Sequence, residues 1–295
     1  MSSNFPLNKS QLTNLVQDFP TPFYLYDEKA IRENMQKFTK AFSIFPVFRE
    51  HFAVKACPNP YLLKILAEEG CGADCSSLPE LMLSEMAGIK GKHVIFTSNE
   101  TPASEYKYAY ERGNIINLDD ITHIEFLKKH LGKLPDTICF RYNPGNEKTG
   151  CNSIIGKPEE AKYGLTRAQI IEAYKICKDE GVQHFGLHTM VASNELNPDF
   201  FVDTRFFFLP SMDFPQLSSN SYIGVVDIDV AFICRVMRAL GSTAVLKLAG
   251  VVAVMAGAAS GHPAVMDTAI TALRKFVIIL HHRLSPPTDA SLSPQ

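Results

Sequence analysis

At 295 residues and 46% hydrophobic side chains, the chain is long enough for one large domain or two ordinary ones. A formal net charge of −2 at pH 7 gives no electrostatic case for nucleic acid or an anionic membrane as a partner. Seven cysteines, odd in number and without a C-x-x-C pair, argue against a disulfide framework or a zinc site and for reduced, buried thiols.

In chain order, the opening MSSNFPLNKSQLTNLVQDFP has no apolar core of signal-peptide length, so a soluble, cytoplasmic protein is expected. A regular beat then begins. Strands are predicted over 51–56, 72–75, 93–96, 115–118, 137–142 and 184–191, and the first four start about 21 residues apart. Helical patterns fill the intervals at 61–69, 78–87, 103–112, 121–131 and 167–179. Ser77-Leu78-Pro79-Glu80 has the spacing of a capping box. Strands alternating with helices imply a parallel sheet with right-handed crossovers, an α/β fold. Six units suit most of an eight-stranded barrel, and an open doubly wound sheet is the alternative.

The segment HFAVKACPNP (51–60) is the most informative. Its apolar run reads as a strand buried on both faces, and it ends on Lys55. An amine there costs desolvation unless it is neutralised, paired or chemically used. The plain alternative is a lysine that snorkels out of a strand end. Other polar groups gather at later strand ends: Asp74, Thr97-Ser98-Asn99, Asp119, Arg141 with Asn143, then His188 and Ser193. In a closed barrel such ends converge on one mouth. No glycine-rich fingerprint follows the first strand, which weighs against a dinucleotide fold and favours the barrel.

A lysine, an arginine, an aspartate and a histidine around one mouth suggest imine chemistry on an anionic cofactor such as pyridoxal 5'-phosphate. Each residue also has an ordinary reading. Asp74 reads equally as a helix-capping carboxylate, Arg141 as an ion pair, His188 as a satisfied core histidine, Ser193 as a loop serine and Met190 as core filler.

Taken together, TPFYLYDEKAI (21–31), HFAVKACPNP, GCGADCSSLPEL (70–81), FRYNPG (140–145), AKYGLT (161–166) and GLHTMVAS (186–193) resemble the diaminopimelate decarboxylases. These belong to the alanine-racemase-like class of pyridoxal-phosphate enzymes. The resemblance implies an α/β barrel followed by a β-sandwich, a homodimer, and decarboxylation of meso-2,6-diaminopimelate to L-lysine. It implies that Lys55 is the cofactor lysine, that Asp74 and Arg141 lie near the cofactor, and that Ser193 is close to its phosphate. His188 falls on the family's H-x-H-x-G-S pattern, whose second histidine is here Met190 and whose glycine is Ala192, so it takes part of the ring-stacking role or none.

The resemblance ends near residue 204. Residues 1–204 are therefore expected to form the N-terminal part of the cofactor-binding barrel, and 205–295 an unmatched, low-charge tail that is disordered or aberrant. Glutamate stops altogether after Glu195. The family's glycine-triplet loop for the phosphate is not met by Gly224-Val225-Val226-Asp227, and its sandwich is missing. TPFYLYD, a sandwich strand in the family, is then expected to be an uncovered edge strand. LAGVVAVMAGAAS (248–260) is apolar but too short to span a bilayer, so no membrane partner is expected. A catalytically dead barrel fragment, or a decarboxylase of another basic amino acid, is the alternative function.

Overall fold

The computed structural model describes residues 7–42, 48–143 and 163–190, and the backbone of 222–226. Its centre is a seven-stranded sheet: β1 (His51–Ala53), β2 (Gly72–Cys75), β3 (Val94–Thr97), β4 (Ile115–Leu118), β5 (Thr137–Tyr142), β6 (His184–Thr189) and β7 (Tyr222–Val226). Neighbours in space are neighbours in sequence, and every pairing is parallel. That order decides between the two expected architectures. A doubly wound sheet reverses direction at a switch point and carries helices on both faces. Here the order never reverses, so right-handed crossovers place the helices on one face and curl the sheet into an arc of a (β/α) barrel.

The helices are α1 (Lys9–Asp18), α2 (Glu28–Ala41), α3 (Pro60–Glu68), α4 (Leu78–Met86), α5 (Ala103–Glu111), α6 (Thr122–Leu131) and α7 (Arg167–Asp179). Their ends follow local chemistry. Asn59 caps α3 by accepting from the Tyr61 N–H at 3.0 Å, and Pro60 fits the first turn, where no donor is needed. Thr166 and Gln169 close a capping box on α7. Gly132 ends α6 at φ 80°, a left-handed conformation that favours glycine.

Three local expectations are corrected. The first strand stops at Ala53, and Lys55 lies in a 3-10 turn, Val54–Ala56. Ser77 caps α4 without a side-chain bond to backbone, because its hydroxyl donates to Glu80 Oε1 at 2.9 Å. The Glu80 carboxylate instead accepts the Ser76 N–H and hydroxyl, each at 2.9 Å. TPFYLYD forms no strand, and Tyr24 keeps 90% of its surface in solvent.

The outer face of the sheet is apolar along its length. Phe52, Ala73, Cys75, Val94, Phe96, Ile116, Leu118, Ile138 and Phe140 pack there against Leu63, Leu81, Tyr106, Leu127 and Tyr174 of the helices. On the inner face, Ile95, Ile115 and Cys139 form a small separate apolar cluster. Below it His51 lies against Gly72, where even a Cβ would collide with the imidazole. Among the described residues no helix is long and apolar enough to cross a membrane. The apolar run 248–260 lies outside the described residues.

Candidate active site

Strand alternation sends every second residue to the inner face. Near the C-terminal strand ends those residues are Asp74 on β2, Thr97 on β3, Asn117 on β4, and Arg141 and His188 in register on β5 and β6. Asp119 follows one residue beyond β4. Asn117, Thr97, Asp119, Arg141 and His188 are all buried. Polar groups removed from water must pair with one another or with a ligand.

Two connected sets result. Asn117 Nδ2 donates to Thr97 Oγ1 at 3.2 Å, and Thr97 Oγ1 donates to Asp74 Oδ1 at 3.4 Å, so one chain of bonds runs across three strands. Asn117 Oδ1, wholly buried, has no hydrogen-bond partner among the described residues. In the second set, Arg141 Nε stands 3.1 Å from Asp119 Oδ1, a close ion pair too far off line to count as a hydrogen bond. Arg141 Nη1 donates to Asn99 Oδ1 at 3.4 Å. Burial pushes the Asp119 carboxyl up from its ordinary range, and the Arg141 charge is the chief opposing influence. Burial pushes the thiols of Cys71, Cys75, Cys139 and Cys177 up, Cys139 to about 12 by burial alone, so none of these four is a ready nucleophile.

Lys55 lies at the same rim, two residues past Ala53, the register partner of Asp74. Its side chain is exposed, and among the described residues its amine has no hydrogen-bond or ion-pair partner. The expected strand-end lysine desolvated by apolar neighbours is thus corrected to one on an open turn. Of the other anticipated residues, Asp74, Arg141 and His188 lie on the inner face at this rim, whereas Ser193 lies outside the described residues. Met190, at the end of β6, is half-buried.

This donor set fits an aldehyde-bearing, anionic cofactor: a free amine to condense, a buried cation to meet negative charge, and an orphaned buried carbonyl still short of a donor. Two further participants are not among the expected site residues. Asn117 is a polar residue inside the apolar run IINL, a signal that was there to be read. Tyr163 lies within AKYGLT, but its contact is not legible there, because only the chain turn at Gly164 carries its ring centre to 5.0 Å from the Arg141 guanidinium carbon.

Residues 28–205 match the family model described as "Pyridoxal-dependent decarboxylase, pyridoxal binding domain". Protein TabA of Pseudomonas amygdali pv. tabaci is 39% identical over 193 residues, which cover 65% of this chain and 44% of TabA. A diaminopimelate decarboxylase of Methanothermobacter thermautotrophicus is 31% identical over 189 residues, 64% of this chain and 44% of that protein. The crystal structure of diaminopimelate decarboxylase from Helicobacter pylori complexed with L-lysine superposes with a TM-score of 0.58 at 25% identity, covering 66% of this chain and 50% of that one. The chain therefore spans about half the length of the relatives it matches.

Proposed function

We infer the function from one premise: the chain belongs to the pyridoxal-dependent decarboxylases, matched through their pyridoxal-binding domain. The cofactor of that domain is pyridoxal phosphate, which when bound supplies the electron sink that lets a carboxyl group leave as carbon dioxide. Lys55 would hold the cofactor covalently through its amine, which sits on an open turn and not within a strand. Asp74 stands on the next strand in register with Ala53, its Oδ1 accepting from the Thr97 hydroxyl. Arg141 presents a buried cation to the anionic parts of cofactor and substrate, and His188 covers the neighbouring inner surface. Ser193 contributes to the phosphate.

The substrate is meso-2,6-diaminopimelate, decarboxylated to L-lysine, in a cytoplasmic homodimer whose barrel domain is built from residues 1–204 together with β7, Tyr222–Val226, which pairs beside β6. What supports the reading most is a single juxtaposition: Lys55, whose amine has no partner among the described residues, stands on the turn after β1 at the same rim as a row of interlinked and mostly buried polar side chains. A second reading, decarboxylation of another basic amino acid, draws on the 39%-identical relative, which does not carry the diaminopimelate decarboxylase name.

The experiment is a titration of purified full-length protein with pyridoxal phosphate, followed by carbon dioxide release from meso-diaminopimelate, L-lysine and L-ornithine. The reading predicts a yellow protein, colourless as Lys55→Ala, that releases carbon dioxide from meso-diaminopimelate alone. Release only from lysine or ornithine selects the second reading. Colour that survives Lys55→Ala removes Lys55 from the chemistry, and a protein that colours but releases nothing is a dead barrel.

A further inference from the structure

Arginine has four side-chain torsions, so a guanidinium at a rim holds one direction only if its surroundings hold it. Arg141 is held from several sides. Asp119, past the end of β4, stands 3.1 Å from its Nε, with both side chains less than a tenth exposed. Asn99, past the end of β3, accepts from Nη1. The Tyr163 ring lies beside the guanidinium face, as a weakly hydrated planar cation favours.

The backbone strip 163–165 joins these groups into one unit. The Gly164 N–H donates to the Asp119 carbonyl at 3.1 Å, and the Leu165 N–H donates to the Arg141 carbonyl at 2.7 Å. The Asn143 N–H returns to the Leu165 carbonyl at 2.8 Å, and Asn143 Nδ2 donates to the Tyr163 carbonyl at 3.1 Å. Gly164 has φ +90°, and a Cβ there would press on Asn143 Cβ at 3.0 Å and Arg141 Cγ at 3.4 Å. This strip bridges the ends of β4 and β5 and sets the Tyr163 ring over the arginine. Nε faces Asp119 and Nη1 bonds to Asn99, and among the described residues none takes Nη2, which leaves that edge for a ligand.

We propose that Asp119 is a positioning residue: together with the Tyr163 ring it aims the Nη2 edge of Arg141 at an anionic oxygen of the cofactor. The inference rests on the cofactor reading given above and adds to it a residue that touches neither cofactor nor substrate.

The test has two arms. In the cofactor-free full-length protein, the Arg141 Nε–H resonance, assigned with Arg141→Lys, is expected to exchange slowly with solvent because the ion pair is buried, and faster in Asp119→Asn, which removes the charge that holds the guanidinium there. In a titration with pyridoxal phosphate, Asp119→Asn is expected to raise the dissociation constant about tenfold, the lower end of what losing an orienting partner costs at metal sites. Tyr163→Leu, which leaves the buried pair intact and serves if Asp119→Asn folds poorly, is expected to raise it about threefold, in line with a modest cation–π contact. In an Arg141→Met background neither change should weaken binding further, whereas a general loosening of the fold would add to it. Equal effects in both backgrounds, unchanged affinity in Asp119→Asn, or an Nε–H that exchanges freely in the wild type overturns the proposal. Wild-type protein that takes up no pyridoxal phosphate sinks the cofactor reading, and with it this role for Asp119, while the resonance still reports whether the clamp exists.

Discussion

The two faces of the sheet carry different chemistry on the same strands. Outward, β3 presents Val94 and Phe96, and β5 presents Ile138 and Phe140, into a continuous apolar layer under the helices. Inward, the same strands present Ile95 and then Thr97, Cys139 and then Arg141, so the apolar character stops before the rim. One residue's shift in register would exchange the two sets, and that would bury a row of polar groups against the helices. The outer face thus fixes where each inner side chain stands, and the upper row of the inner face carries groups that contribute less to stability.

That comparison breaks most visibly from the outer side. Phe140 is fully buried and meets Tyr174 edge-on at 5.4 Å, so Phe140→Ala should cost about 4 kcal/mol, read as a lowered unfolding midpoint in urea. The lower inner face sharpens it through pH. His51 has a buried Nε2 without a hydrogen-bond partner among the described residues, and burial, aided by the Arg49 charge, lowers its pKa from 6.5 to about 4. The folded state then favours the neutral ring. Its contribution is complete above pH 6.5 and is lost as pH falls toward about 4, by at most about 3 kcal/mol, and His51→Leu should flatten that slope in acid unfolding curves.

Changes on the upper inner face should be milder for stability. Thr97→Val keeps the shape but strands Asn117 Nδ2, so a loss of about 1–2 kcal/mol is expected from thermal unfolding. Lys55→Ala, on an exposed turn, should change stability by less than about 0.5 kcal/mol while removing cofactor uptake. A Lys55 variant as damaged in folding as Phe140→Ala would erase the distinction between the faces.

Much of this was legible because the outer face imposes a pattern. β2, β4 and β5 run over the expected residues, since each is a short apolar run bounded by turn residues. The helices of the beat were found within a residue or two for the same reason. Neither α1 nor α2 belongs to that beat: α1 buries no residue, so packing leaves no stripe to read, whereas α2 does carry one, in the buried Met35 and Phe38, ahead of the first strand. The capping box at Ser77 failed because spacing alone does not say whether a hydroxyl donates or accepts; here the carboxylate of Glu80 took the proton donor. In the site, Asp74, Arg141 and His188 stood out as polar residues breaking apolar strands. The clamp on Arg141 did not, because Tyr163 comes more than twenty residues later and reaches it through a tertiary turn that no local pattern encodes.

The central claim is that the Lys55 amine takes the aldehyde. Incubating the protein with pyridoxal phosphate, reducing with borohydride and mapping the peptides measures this directly. The account predicts one labelled peptide, the one containing Lys55, with label lost in Lys55→Ala; a label spread over the surface lysines, or fixed on another residue, would contradict it.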